Sequence, residues 1–245
     1  MTNALHAAPV VDVADQNAMD MFARQWQLYR KILDHDYLGN DGAYATLRHV
    51  LDEEIARPFR LLDLACGDAG GISKTLVGTQ VTSYRGVDLS VPALKFAQVN
   101  LRALTCQVTL EQGDFAEAVG PGAAPLDVIW ISLSLHHLET PAKQQLMREI
   151  REGMNADGAF LIYEPTRDDG EGRPAYMDRF EATARRDWTA LSADEFNEAI
   201  SHVRTCDLPE TVSDWAMLGL KAGFTRIEEL YRSPDDLFRL INYRP

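Results

Sequence analysis

The fold of this chain is decided by residues 61–71, which read LLDLACGDAGG. An apolar run leads into an acid, Asp63, then into a glycine-rich turn and a segment of helical character. In α/β proteins this order places a nucleotide-type ligand at the carboxyl end of a first strand. Glycine in such a turn lets the backbone approach the ligand without a Cβ in the way. The stretch therefore predicts an α/β sheet with a ligand site at this turn.

The acids of the turn indicate which ligand it accepts. Asp63 and Asp68 would place two carboxylates beside the pyrophosphate of a dinucleotide, which is itself an anion. A ligand with a cationic head fits better, and S-adenosylmethionine has one in its α-amino group and its sulfonium. The turn therefore favours S-adenosylmethionine, provided that acids in the later strands support the same ligand.

Three later motifs supply those acids and a histidine pair. The run Tyr84–Asp88 predicts a second strand that ends in an acid about 20 residues after the glycine turn, where nucleotide-binding α/β domains hydrogen-bond the ribose. A third strand, Val108–Glu111, precedes Asp114, whose carboxylate can accept from an adenine amino group, and an aromatic residue that can cover the base. A fourth strand, Leu126–Ile131, leads into SLSLHHL at 132–138. The order of these motifs is more specific than any one of them.

In this order the motifs resemble those of the class I S-adenosylmethionine-dependent methyltransferases of the small-molecule type. The resemblance covers roughly Arg60 to Glu164. It departs from the family's three-glycine pattern, which reads here as Ala65, Gly67 and Ala69. It implies S-adenosyl-L-methionine as the cofactor and S-adenosyl-L-homocysteine as the product.

The resemblance also implies roles for the residues around the turn. Asp63 and Gly67 are expected to line the methionine part of the cofactor, and Asp88 is expected at its ribose. Asp114 and Phe115 are expected at the adenine. The full set of predicted cofactor-binding residues is Tyr29, Asp63, Ala65, Gly67, Asp88, Leu89, Asp114, Phe115 and Ser132.

Helical spacing predicts two amphipathic helices before the first strand. One runs through Phe22, Trp26, Tyr29 and Leu33, and the other through Tyr44, Leu47, Leu51 and Ile55. Tyr29 is either a core residue of the first helix or a contact of a lid over the cofactor. After these helices, strands alternate with helices, which predicts a Rossmann-like, doubly wound and mostly parallel sheet. The resemblance implies seven strands, one of them antiparallel, with the N-terminal helices over the cofactor site.

One domain is expected over residues 1–245, in four parts. These are an arm with lid helices at 1–58, the cofactor-binding core at 59–164, an acceptor-side helical insert at 165–222 and the final strands at 223–245. Within the core, a fifth strand is predicted over 159–164.

Sequence signals also predict where several helices begin and end. Ser90 and Thr140 are predicted N-caps, since each precedes a helical segment with a proline in its first turn. Ser192 and Glu195 have capping-box spacing, and Gly223 is predicted to close the last helix in the left-handed conformation.

Composition limits the partners. The net charge of −13 argues against a nucleic-acid partner, whose phosphates need a basic surface. No apolar run approaches the ~20 residues of a membrane span, and the start of the chain lacks a signal-peptide pattern. The three cysteines follow no metal spacing, so reduced thiols, a cytoplasmic location and no metal site are expected. The expected assembly is a monomer or a homodimer.

His136, His137 and Glu164 are the candidate catalytic residues. The two histidines follow the fourth strand, where the family places acceptor-facing residues, and Glu164, at the end of the fifth strand, either binds a cationic acceptor, accepts a proton or anchors a loop. A neutral imidazole there can take a proton from a hydroxyl, amine or thiol. Adjacent side chains seldom face the same way, so at most one histidine is expected to reach the acceptor. Alternatively, the histidines pack at the strand end, Glu164 anchors a loop, and proximity alone drives the methyl transfer.

The predicted function is therefore S-adenosylmethionine-dependent methyl transfer to a small-molecule acceptor. Whether the acceptor atom is oxygen, nitrogen, sulfur or carbon stays open. A short-chain dehydrogenase is disfavoured, because no Tyr-x-x-x-Lys pair follows the fourth strand. A non-catalytic cofactor-binding or scaffold protein on the same fold is the alternative function.

Overall fold

The structure is a computed structural model that describes residues 27–120 and 125–245, which form an α/β fold around one mixed sheet. The predicted first helix is present as α1 at residues 27–34. Two of its predicted apolar residues, Phe22 and Trp26, lie outside the described residues, as does the predicted N-terminal arm.

The sheet confirms the predicted topology. Its strands are β1 (Phe59–Leu64), β2 (Val81–Asp88), β3 (Gln107–Gln112), β4 (Leu126–Ser132), β5 (Met154–Arg167), β6 (Glu210–Thr211), β7 (Arg226–Arg232) and β8 (Phe238–Arg244). Seven of them follow the order β3-β2-β1-β4-β5-β8-β7, in which β8 is antiparallel to both neighbours and the other pairs are parallel. The two-residue β6 pairs with β5 as an addition, and β5 is longer than predicted because its ends pair with β4 and β6.

Helices cover both faces of this sheet. They are α2 (Asn40–His49), which continues as a π-helical turn at Val50–Ile55, α3 (Gly70–Leu76), α4 (Val91–Asn100), α5 (Thr140–Glu152), α6 (Arg173–Asp187), α7 (Ala193–Cys206) and α8 (Val212–Ala222). The core is divided into two apolar clusters, one under α1–α4, α6 and α7 and the other under α5 and α8. Along β4, Trp130 belongs to the first cluster while Ile129 and Ile131 belong to the second, as the alternation of a strand requires. None of the helices in the described residues combines the length and apolar character that crossing a bilayer requires.

The position of the site follows from the strand order. The chain leaves β1 toward one edge of the sheet and β4 toward the other, so the topological switch point lies between these two neighbours. Ligands of doubly wound sheets bind in the crevice outside the carboxyl ends at this point. The register pairs Leu64 with Ile131, which brings the glycine turn after β1 next to the turn after β4.

Most of the predicted helix ends are confirmed. The Oγ of Ser90 accepts from the backbone of α4, the capping box at the start of α7 is present, and Gly223 closes α8 with φ 99°. The N-cap prediction for Thr140 is wrong. Glu139 occupies that position, and the Thr140 hydroxyl instead donates to Oε1 of Glu210 at 2.7 Å. The Thr140 hydroxyl thus forms a tertiary hydrogen bond and not the helix cap that local spacing predicts.

Candidate active site

The turn after β1 contains three residues in the left-handed region. Ala65, Gly67 and Ala69 have φ angles of 55°, 53° and 53°. Glycine adopts this conformation without strain, whereas each alanine is held in it at a cost of about 1–2 kcal/mol. A Cβ added to Gly67 would meet nothing within 4 Å, so the backbone here borders open space. Such strain in a glycine-rich turn is typical of a backbone shaped around a ligand.

Asp88, at the end of β2, holds this turn in place. Its Oδ2 accepts from the backbone N–H of Gly67 at 2.8 Å, and its Oδ1 accepts from that of Ser90 at 2.7 Å. The carboxylate therefore fixes the conformation of the turn. Its predicted contact with the ribose stays a prediction.

Asp63 lies beneath the turn rather than on its surface. It is 3 % exposed, and its Oδ2 accepts from the hydroxyl of Tyr84 at 2.6 Å. Burial raises the pKa of Asp63 to about 7, although the hydrogen bond from Tyr84 opposes this shift. The Asp63 carboxylate therefore does not line the ligand site, and it acts on a ligand there only through its charge.

A pocket of about 780 Å³ lies between the glycine turn, the N-terminal helices and the turn after β4; we call it the glycine-loop pocket. Of the predicted cofactor-binding residues, it is lined by Tyr29, Ala65, Gly67, Asp88 and Ser132. The remaining four, Asp63, Leu89, Asp114 and Phe115, are not part of its described lining. The pocket thus brings together five of the nine predicted residues.

The three predicted residues beyond β2 and β3 have contacts of other kinds. Leu89 is 65 % exposed directly after β2. Asp114 caps a short 3-10 helix by accepting from the N–H of Ala116 at 2.9 Å, and Phe115 packs against the apolar cluster below α5 and α8. Their predicted contacts with the cofactor stay predictions.

Several polar residues of this pocket were not predicted from the sequence, among them Asn40 and Arg30. Asn40 is 8 % exposed and its Nδ2 has no hydrogen-bond partner among the described residues, although an unpaired buried donor is costly. Arg30 donates to Oδ2 of Asp68 at 3.0 Å and is half-exposed at the pocket wall. An amide donor and a guanidinium suit the carboxylate of a methionine group. No motif in the sequence singles out either residue.

A second cavity, of about 390 Å³, lies behind the turn after β4; we call it the histidine cavity. Tyr29 and Leu133 line both this cavity and the glycine-loop pocket. Leu133 itself has φ 53°, so the backbone bends sharply between the two. The two cavities are therefore neighbours that share a wall.

His136 is fixed between two carboxylates at the edge of the histidine cavity. Its Nδ1 lies 2.6 Å from Oε2 of Glu164, and its Nε2 lies 3.4 Å from Oδ1 of Asp207. Burial by itself lowers the pKa of His136, but the two carboxylates outweigh it and raise the pKa to about 9. The ring is therefore a cation at neutral pH and has no lone pair with which to accept a proton.

Glu164 is fully buried in β5 and holds the turn after β4. Its Oε1 accepts from the backbone N–H groups of Ser134 at 3.1 Å and Leu135 at 2.9 Å, and its Oε2 accepts from that of His136 at 3.3 Å. All these contacts are with the turn, so the geometry favours the loop-anchoring alternative. A part for Glu164 in proton transfer stays a prediction.

His137 presents the other imidazole of the pair to the same cavity. Its side chain is 38 % exposed and its ring stands edge-on to that of His202, with ring centroids 5.7 Å apart. Burial and the charge of His136 lower the pKa of His137. A neutral ring keeps one lone pair, so His137 is the member of the pair that can accept a proton.

The cluster also has a spacing that metal ligands can adopt. One possible ligand atom from each of His136, His137 and Asp207 lies within 4.8 Å of the others. Both ring nitrogens of His136 face carboxylates, so a metal ion would first have to displace the proton that faces Asp207. The expectation of no metal site stays a prediction.

Comparisons with known proteins agree on the type of domain. Residues 61–158 match a family model described as a methyltransferase domain. A similar curated protein is the carboxy-S-adenosyl-L-methionine synthase of Campylobacter curvus, which is 23 % identical over 177 residues and is matched over 70 % of this chain and 72 % of its own length.

Solved structures show the same fold at low sequence identity. An O-methyltransferase family protein from Burkholderia thailandensis is 20 % identical with a TM-score of 0.59, over 81 % of this chain and 55 % of that one. The cyclopropane synthase MmaA2 from Mycobacterium tuberculosis is 16 % identical with a TM-score of 0.52, over 74 % of this chain and 62 % of that one. This chain therefore spans little more than half the length of these proteins. Their activities differ, so they support the fold and not an acceptor.

Proposed function

We propose that this chain, a member of the class I S-adenosylmethionine-dependent methyltransferase family, transfers the methyl group of its cofactor to a small-molecule acceptor. One observation carries the proposal. The glycine-loop pocket, which suits the cofactor, and the histidine cavity share Tyr29 and Leu133 as lining residues. A cofactor in the first pocket would direct its sulfonium methyl toward a molecule in the second. In-line displacement requires the nucleophile to approach the methyl group from the side opposite the sulfur, and neighbouring cavities allow such an approach.

We assign different parts to the three candidate catalytic residues. His137 would accept the proton that the acceptor loses, since its ring is neutral and lines the cavity. His136 and Glu164 would position His137 by fixing the turn that carries it. Proximity supplies the larger part of the rate, because the sulfonium is already an activated methyl donor.

The test has two separate readouts. Calorimetric titration with S-adenosylhomocysteine measures the cofactor site, and methyl-labelled S-adenosylmethionine with a fractionated metabolite extract measures transfer. We expect micromolar binding and a labelled small molecule that mass spectrometry can identify. Tight binding with no labelled product across the extract would favour the non-catalytic cofactor-binding or scaffold protein instead.

The curated relative suggests a second activity, carboxylation of the cofactor, as its name states. Its product carries an additional carboxylate, which a lysine or arginine beside the sulfonium would stabilise. In the described part of the chain, Arg30 and Lys74 line the glycine-loop pocket, with Arg30 already paired to Asp68, whereas neither residue type lines the histidine cavity toward which the transferred group would project. Methyl transfer is therefore the function that this geometry supports better. The cytoplasmic location, the lack of a nucleic-acid or membrane partner and the monomer or homodimer state stay predictions.

A further inference from the structure

The histidine cavity has apolar walls that select the body of the acceptor. Helices α1, α6 and α7, the residue after α6 and strand β8 supply Leu28, Ile32, Phe180, Trp188, Val203 and Phe238. Aromatic rings pack favourably against such side chains, and a cavity of about 390 Å³ has room for a molecule with one or two rings. The acceptor is therefore largely apolar.

The remaining wall of the cavity is polar and carries excess negative charge. Two carboxylates, those of Asp207 and of Glu198 on α7, line the cavity beside the single His136 cation, and the fully buried Glu164 pairs with His136 without lining the cavity. No lysine or arginine belongs to the lining among residues 27–120 and 125–245. A molecule in this cavity therefore meets a wall in which carboxylates outnumber cations.

We infer that the acceptor is an apolar amine and that its nitrogen receives the methyl group. This inference rests on the proposed function and decides the acceptor atom that the sequence left open. It depends on the sign of charge that each kind of acceptor carries before and after it loses its proton.

A hydroxyl acceptor reacts best as an alkoxide or phenolate, and the carboxylates of the polar wall disfavour an anion there. An ammonium group is attracted by the same wall, and on losing its proton it becomes a neutral nucleophile. A carboxylate acceptor is repelled both before and during the reaction. The charge of the wall thus favours nitrogen over oxygen, and most strongly disfavours a carboxylate.

Groups on the protein and the cofactor account for every proton and electron pair that moves in this methyl transfer. The ammonium gives one proton to the neutral ring of His137. The freed lone pair attacks the methyl carbon, a C–N bond forms, and the C–S bond breaks with its electron pair going to sulfur. The products are the methylated ammonium and S-adenosylhomocysteine, and His137 returns its proton to water.

Three probes on one frame test the inference: 1-naphthylmethylamine, 1-naphthylmethanol and 1-naphthoate. Each is titrated calorimetrically into protein saturated with S-adenosylhomocysteine. We expect the amine to bind at least tenfold more tightly than the alcohol and the carboxylate to bind weakest. An alcohol or carboxylate that binds as tightly as the amine overturns the inference, as does an amine that fails to bind at millimolar concentration.

Two variants and one matched control connect the preference to this cavity. Glu198→Lys reverses one charge of the polar wall, and we expect it to weaken the amine at least fivefold while improving the carboxylate. Asp194→Lys makes the same charge change on α7 at an exposed residue outside the cavity lining, and it should leave the order of the probes unchanged. Ala199→Trp fills the cavity and should abolish binding of the amine while S-adenosylhomocysteine still binds, which also shows that the variant folds. An amine preference that survives Ala199→Trp, or that Glu198→Lys leaves unaltered, refutes the assignment.

The labelling experiment distinguishes a wrong acceptor atom from the absence of methyl transfer. Labelled methyl groups that appear on hydroxyl compounds of a metabolite extract would support methyl transfer and contradict an amine acceptor. Labelled methylamines support both.

Discussion

Replacing Asp63 with asparagine is expected to stabilise the protein at pH 8 and to remove much of the pH dependence of its stability. Burial raises the pKa of Asp63 to about 7 against the opposing hydrogen bond from Tyr84, whereas in the unfolded chain it returns to about 3.9. The folded protein therefore keeps a proton that the unfolded chain releases between about pH 4 and pH 7. Stability falls as the pH rises through this range. The total loss above pH 7 is about 4 kcal/mol, since each unit of pKa is worth about 1.4 kcal/mol.

Asparagine keeps a carbonyl oxygen that can accept from Tyr84, but it does not ionise. Urea denaturation of the unmodified protein and of Asp63→Asn between pH 5 and pH 8 measures the free energy of unfolding of each. The difference in favour of the variant should grow by about 2–3 kcal/mol over this interval. Glu53→Gln, at an exposed acid after α2, is the control and should show no such trend. A difference between Asp63→Asn and the parent that stays constant from pH 5 to pH 8 would refute the raised pKa.

Three further predictions address the site. Asp88→Ala should weaken S-adenosylhomocysteine binding by about 1.5–3 kcal/mol in calorimetry, because the carboxylate holds the glycine turn and is predicted to bind the ribose; unchanged affinity in the folded variant would contradict the predicted ribose site. Asn40→Ala should weaken the same binding by about 1 kcal/mol, and it removes no hydrogen bond of Nδ2 from the free protein, in which that donor is unpaired. His137→Ala should lower turnover about 100- to 10,000-fold, spare cofactor affinity and remove the acid limb of the pH–rate profile; a parent-like profile would make His137 structural.

Much of the fold could be predicted from the sequence because its signals are local and repeated. The strand-turn-helix units, the caps at Ser90 and Gly223 and the order of the motifs each depend on neighbours in the chain. The wrong N-cap at Thr140 shows the limit of this approach. Its hydroxyl is bound to Glu210, some 70 residues away, and no local pattern reveals that contact.

The site could be predicted only in part, because long-range contacts decide which residues reach the cavities. The sequence places His136 and His137 side by side and gives no reason to separate them. Glu164 and Asp207, from β5 and the end of α7, make the first a fixed cation, and the charge of that cation adds to burial in lowering the pKa of the second. Asp207 had no signal of its own in the sequence. Asn40 was hidden for the same reason, since its unpaired amide is visible only once α2 lies against the glycine turn.

Asp63 connects the first sequence inference with the structure. A serine or asparagine at this position can also bond to Tyr84, and neither would carry the stability cost of an acid whose pKa burial raises to about 7. An acid at this place therefore needs a reason outside the folding of the free protein. A cationic ligand in the neighbouring glycine-loop pocket supplies one, since it favours the ionised form of Asp63 and recovers part of that cost on binding. A buried carboxyl that is unfavourable in the free protein thus favours a cationic ligand over a pyrophosphate, as the two acids of the turn already do in the sequence.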